Sequence, residues 1–210
     1  MSKSYNSLVS EKILPLSVAA NLSEAFTEWK FTEHTIDHES ATEECGLCSQ
    51  KDLRYHFEIE NELTSHKLMV GSSCILKFDV KVFEDGELLN KQDTRRKLNK
   101  LIERMHQESC FKALEMVLEE EDNPILRNAL SYYKKNKYFT PKFAFVVLWR
   151  LNTNQINHNP SYFNVKLNKD SYKRDLEKMN EFRVHTIWKS LSSSQRALAE
   201  RLGHKPPKSL

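Results

Sequence analysis

Glycine is scarce in this chain: there are four in 210 residues, beside six prolines and four cysteines. So few glycines exclude a Gly-rich phosphate-cradling loop, and neither a nucleophile elbow nor a His-Glu-x-x-His zinc motif occurs. No apolar run approaches the roughly 18 residues of a membrane-spanning helix. The opening MSKSYNSLVSEKILPLSVAANL holds no uninterrupted apolar stretch followed by a cleavage site, so it does not read as a secretory signal. Four cysteines, three of them clustered, fit a reducing cytoplasm better than a disulfide framework. Together these absences point away from catalysis and the membrane, toward a cytoplasmic binding protein.

What is present can fold. A hydrophobic content of 39% supplies a core for one domain or two small ones. The net charge of +3 conceals a split along the chain. Residues 1–122 carry 15 Lys and Arg against 24 Asp and Glu, a net of −9, while residues 123–210 carry 17 against 5, a net of +12. Such asymmetry marks a basic surface for nucleic acid or an acidic partner, or an attraction between the halves.

The chemistry is most legible at Cys45, Cys48 and Cys74. A Cys-x2-Cys pair offers two thiolates to one tetrahedral zinc ion, and a later ligand closes the ring. Between Cys48 and Cys74 lie β-formers on either side of Asn61-Glu62-Leu63-Thr64-Ser65, so a hairpin brings the cysteine ends together. A zinc ribbon ends in a second Cys-x2-Cys, but here Gly71 stands three residues before Cys74. Histidine must supply the fourth ligand. With the turn centred near Leu63-Thr64, Leu53 faces Cys74 and His56 faces Gly71, which makes His56 the first choice. Strict alternation turns His56 to the opposite face, so this assignment needs the strand to break at Ser72-Ser73. His38 and His34 reach the ion without that demand, and His66 lies too near the hairpin tip. A closed four-ligand site leaves no position for water, hence a structural role. The spacing of His38-Glu39 does not match that of zinc deaminases, and a metal-dependent nuclease or deaminase is the poorest of the readings.

Helical spacing of Val18, Leu22, Ala25, Phe26 and Trp29 predicts an amphipathic helix over residues 17–29. Ile75–Phe78 is a short apolar run, and Val80–Phe83 followed by Glu84-Asp85-Gly86-Glu87 predicts a second small hairpin. A long helix follows over residues 93–120, with Arg95, Arg96, Lys97 and Lys100 at its start and Glu119, Glu120, Glu121 and Asp122 at its end. Both clusters oppose the helix macrodipole, which hints that they answer a partner or a neighbouring element. Asn123-Pro124 and Thr140-Pro141 are helix starts. Residues 163–167 read as a short strand, Asp170 as a cap, residues 184–191 and 192–202 as helices, and Cys110 as a core residue.

In the basic half, Lys134, Lys135, Lys137, Lys142 and Arg150 interleave with Tyr132, Tyr133, Tyr138, Phe143 and Trp149. Cations beside stacking platforms are the recipe for holding a nucleic-acid strand, and Tyr133 with those five cations is the candidate surface. Ser194–Gly203 resembles the first helix and turn of a bacterial helix-turn-helix, but Lys205-Pro206-Pro207 follows, so it reads as a packing helix.

Residues 28–78, with Glu28-Trp29, Cys45-x2-Cys48, LRYHFEI and VGSSCILKF, resemble bacterial proteins of uncharacterised activity, often from mobile elements. The resemblance implies a treble-clef or ribbon-like zinc module with Cys45, Cys48 and Cys74 as ligands. The expected architecture is α+β, a small zinc-stapled β-hairpin module packed on a mainly α-helical body. Its parts are an acidic helix and hairpin module over 1–90, a connecting helix over 91–122 and a basic helical part over 123–210. The expected function is non-catalytic, zinc-binding association with nucleic acid. The alternative is a protein-interaction module that regulates or inhibits a host complex through the acidic face of residues 33–90, where 5 Lys and Arg meet 13 Asp and Glu.

Overall fold

The computed structural model describes residues 5–208 and is α+β. Its contacts divide the chain into two units, residues 1–105 and 106–210. The boundary falls inside the long helix Lys91–Glu120, which was expected to be a connector. Leu98 and Met105 from its first half lie in the core of the first unit, and Cys110 and Leu114 from its second half lie in that of the second. Redrawn at this boundary, the charges are 14 Lys and Arg against 18 Asp and Glu, then 18 against 11, so the net values shrink to −4 and +7.

The first unit opens with α1 (Tyr5–Ile13) and α2 (Leu22–Ala25). The amphipathic helix expected over residues 17–29 forms only in part, as α2 and a 3-10 turn over Phe26–Glu28. The Glu28 carboxylate accepts the backbone N–H groups of Val18 at 2.9 Å and Ala19 at 2.7 Å, which holds that stretch as a loop. Trp29 has already turned into an extended conformation. It begins β1 (Trp29–Asp37), a strand that pairs antiparallel with β2 (Tyr55–Asn61), and β2 pairs with β3 (Lys67–Val70). The β2–β3 register, Phe57 opposite Val70 and Glu60 opposite Lys67, is the one the turn position predicts. Asn61 fixes that turn, its side-chain oxygen accepting the N–H groups of Leu63 and Thr64 at 2.8 and 3.0 Å.

Pairing stops at Val70 because α3 (Ser72–Lys77) begins, so the apolar run after Cys74 is helical rather than extended. β4 (Phe83–Glu84) and β5 (Glu87–Leu88) form the small second hairpin across Asp85-Gly86, both at positive φ, as a two-residue turn requires. Phe57, Ile59, Val70, Trp29, Ile75 and Leu98 are fully buried in this core.

The second unit contains the end of α4 (Lys91–Glu120), then α5 (Pro124–Asn136), α6 (Pro141–Thr153), α7 (Asp170–Glu177), α8 (Glu181–Ile187) and α9 (Ser193–Arg201). Asn123 and Thr140 cap α5 and α6 through their side chains, with proline in the first turn, and Ser192 with Gln195 forms a capping box on α9. Asp170 is not a cap; Lys169 precedes α7 without a side-chain bond. Residues 163–167 form no strand, only a bridge between Val165 and Phe139. Some of the charges that oppose the dipole, on α4 or just beyond its end, are answered by neighbours. Lys97 meets Glu33 and the Phe83 carbonyl, Arg127 reaches Asp122 at 3.2 Å, and Arg150 meets Glu121. Among the described residues no helix is long and apolar enough to cross a membrane.

Candidate metal centre

Cys45 and Cys48 sit in a tight turn after β1. Ser49 N–H donates to the Cys45 carbonyl at 2.9 Å, and Cys45 N–H to the Gln50 carbonyl at 2.9 Å. Gly46 N–H donates to the Met69 carbonyl at 2.8 Å, docking this turn on β3. A Cβ at Gly46 would stand 2.8 Å from that carbonyl oxygen, so only glycine fits the close approach. Cys74 comes from the first turn of α3. The hairpin between them closes the loop, and all three sulfurs meet in the core of the first unit.

The sulfurs of Cys45 and Cys74 are 3.7 Å apart, and those of Cys48 and Cys74 are 3.3 Å apart. Thiolates around a tetrahedral ion at about 2.3 Å stand roughly 3.8 Å from one another, so this trio is spaced for a shared ion. All three are buried. The Cys45 thiol is lowered to about 5, chiefly by the Cys74 thiol, against the opposing effect of burial; the N–H groups of Gly71, Cys48 and Leu47 add to it. A thiolate poised in this way is the form that ligates metal. The three cysteines can therefore hold a metal ion. Beside them a cavity of about 120 Å³ is lined by Leu53, Gly71, Ser72 and Ser73 along with Cys45 and Cys74.

Neither expected fourth ligand joins the sulfurs. The strand breaks at Ser72 as the His56 assignment required, yet alternation along β2 still decides the outcome: Phe57 and Ile59 enter the core with the thiols, and His56 points to the other face. Its ring groups instead with His38 and Glu43. His34 lies exposed beside Glu58, 3.5 Å away, and His66 is exposed.

The expected nucleic-acid residues separate in the structure. Tyr133 is half-buried against the core, tilted on Phe111 and Phe139, and its hydroxyl donates to the Gln107 side-chain oxygen at 2.9 Å. It is no free stacking platform. Lys134 pairs with Glu115, Lys142 with Asp175 at 2.7 Å, and Arg150 with Glu121. Lys135 and Lys137 remain exposed with no ion pair among the described residues. A different strip on α6 and α8 joins exposed Trp149 and Phe182 and half-buried Phe145 to two arginines. Phe145 stacks on Trp149 at 6.3 Å and meets Phe182 edge-on at 6.0 Å. The Arg150 guanidinium stands 5.6 Å from the Trp149 ring, and that of Arg183 stands 5.1 Å from Phe145. Phe182 is 60% exposed and Trp149 38%. The spacing of Phe145 and Trp149 by one helical turn is the only sequence signal of this strip; Arg183 joins it through tertiary packing.

On the acidic side, Glu58 accepts from Lys67 at 3.0 Å, and Glu62 from Lys81 at 2.8 Å. Both carboxyls are held below their ordinary range, first by these lysines. Much of the hairpin's negative charge is thus neutralised locally. No family model, curated protein or solved structure matches the chain.

Proposed function

We propose that the chain is a non-catalytic zinc-binding protein that associates with nucleic acid, the first unit stapled by metal and the second making the contact. Turn, hairpin and helix follow one another as in a treble clef, with Cys45, Cys48 and Cys74 as protein ligands and borderline-soft Zn²⁺ as the ion that suits them. The observation that carries the nucleic-acid reading is the pair of exposed rings Trp149 and Phe182, joined by half-buried Phe145 and flanked by exposed Arg183, in a unit of net charge +7. Rings stack on bases regardless of sequence, and arginines neutralise phosphates. Lys135 and Lys137 are further exposed cations of the same unit.

The test is fluorescence anisotropy with labelled single-stranded DNA, duplex DNA and RNA at low and moderate salt. Binding should fall steeply with salt, and Phe182→Ala with Arg183→Glu should weaken it by about tenfold or more, from roughly 1–3 kcal/mol per stacked base. Absence of binding at low salt rejects the reading. If a protein partner is then captured and lost on Glu60→Lys, the interaction-module alternative takes its place.

A further inference from the structure

We propose that His38, Glu43 and His56 form a second divalent-metal site, separate from the three thiols. The strand pairing builds it. Ile36 lies opposite His56, and pairing continues as Asp37 opposite Tyr55 and His38 N–H donating to the Arg54 carbonyl at 3.0 Å. His38 is therefore two residues beyond the residue facing His56. The two side chains are diagonal neighbours on one face of the sheet. The chain then turns and returns, and Glu43 pairs with Leu53 through two backbone hydrogen bonds of 3.1 and 2.9 Å. That places its carboxylate beside the same two rings, with the ligand atoms of all three residues within 4.8 Å of one another. The Arg54 guanidinium grips Asp37 with two bonds of 2.7 and 2.9 Å, locking the end of β1 on which His38 depends.

The hydrogen bonding of the rings favours an ion. His56 is buried, and its Nε2 lies 3.2 Å from the Glu44 carbonyl. A carbonyl only accepts, so Nε2 carries the proton and Nδ1 presents a lone pair. That lone pair faces His38 Nε2 at 3.1 Å, with the rings at 87°. Two nitrogens bound at about 2.0–2.1 Å to one tetrahedral ion stand roughly 3.3 Å apart, close to this separation. A backbone carbonyl that fixes the tautomer of a buried ring is the outer support that metal-bound histidines use. On the far side of His38, Nδ1 lies 4.0 Å from the Glu43 carboxylate. Two imidazoles and a carboxylate suit Zn²⁺, Co²⁺ or Ni²⁺ and leave a coordination position for water.

The test is titration of the full chain with Co²⁺, read by absorbance and by metal content after desalting. Two equivalents should bind, one with thiolate-to-cobalt charge transfer and one without. His38→Ala and His56→Ala should each remove the equivalent that lacks charge transfer and leave the thiolate band unchanged. Glu43→Gln, at a half-exposed loop position that leaves the sheet intact, should weaken the same equivalent by about tenfold or more. Unchanged stoichiometry in all three variants overturns the proposal. So does a single equivalent whose thiolate band shifts in His56→Ala, since His56 would then ligate the thiol site. Loss of the thiolate band alone, with the second equivalent retained, would count against the thiol site and in favour of this one.

Discussion

Residues 106–210 and 1–105 stabilise chains of equal length by different means. The second unit buries a nearly all-apolar set, including Leu126, Leu130, Phe139, Leu148, Phe163 and Trp188, with His106 and Ser190 as its buried polar residues among those described. Of the helices that begin in it, α5, α6, α8 and α9 start at side-chain caps. The first unit buries Glu28, His56, Asn61 and Thr94 beside three thiols, and holds seven of the nine non-glycine residues at positive φ among those described. Left-handed backbone at such residues costs about 1–2 kcal/mol each, so the first unit must be held in shape by specific bonds rather than by apolar packing alone. The difference teaches that the thiol cluster and the buried polar network belong to one unit, whereas the other is built on a helical, apolar core.

Removing the ion proposed for the thiol site should separate the units most sharply. Structural zinc contributes about 10–16 kcal/mol of apparent binding energy in small sites, so Cys74→Ser or chelation should abolish amide-exchange protection in β2 and β3 while α5 and α6 keep theirs. Equal protection before and after would reduce the thiols to ordinary core residues. Leu148→Ala cuts the other way. Leu148 is fully buried in α6, so its loss should cost about 2–5 kcal/mol in chemical denaturation of the second unit and leave metal content unchanged. Gly46→Ala pushes a Cβ against the Met69 carbonyl and should cost about 1–3 kcal/mol, read as a lower melting temperature of the first unit with weaker metal retention.

The smallest effect is on pH. The Glu28 carboxyl is held below its ordinary value, first by the Asn61 side-chain amide at 2.7 Å and then by the N–H groups of Val18 and Ala19. A lowered folded value means its contribution is present above the unfolded carboxylate range and is lost as pH falls toward the folded one. Glu28→Gln should flatten that acid limb of the first unit's stability curve, measured by thermal melts between neutral and acidic pH, with no change in the second unit.

Local chemistry was legible in the sequence because it acts over a few residues. Asn123-Pro124, Thr140-Pro141 and Ser192 with Gln195 start helices through bonds within their own first turn. Asn61 fixes its turn, and the turn fixes the hairpin register, which gathers Cys45, Cys48 and Cys74 at one end. Tertiary structure alone decided whatever depended on distant partners. Within residues 17–29 the helix is confined to 22–28, because Glu28 binds Val18 and Ala19 while Trp29 pairs with Asn61. Lys134, Lys142 and Arg150 meet carboxylates on other helices, which no count of charges along the chain reveals. His56 leaves the thiols because alternation sends it to the opposite face, where β1 delivers His38, 18 residues earlier in sequence. Spacing names the residues able to ligate an ion, but only the pairing of strands settles which of them share a face.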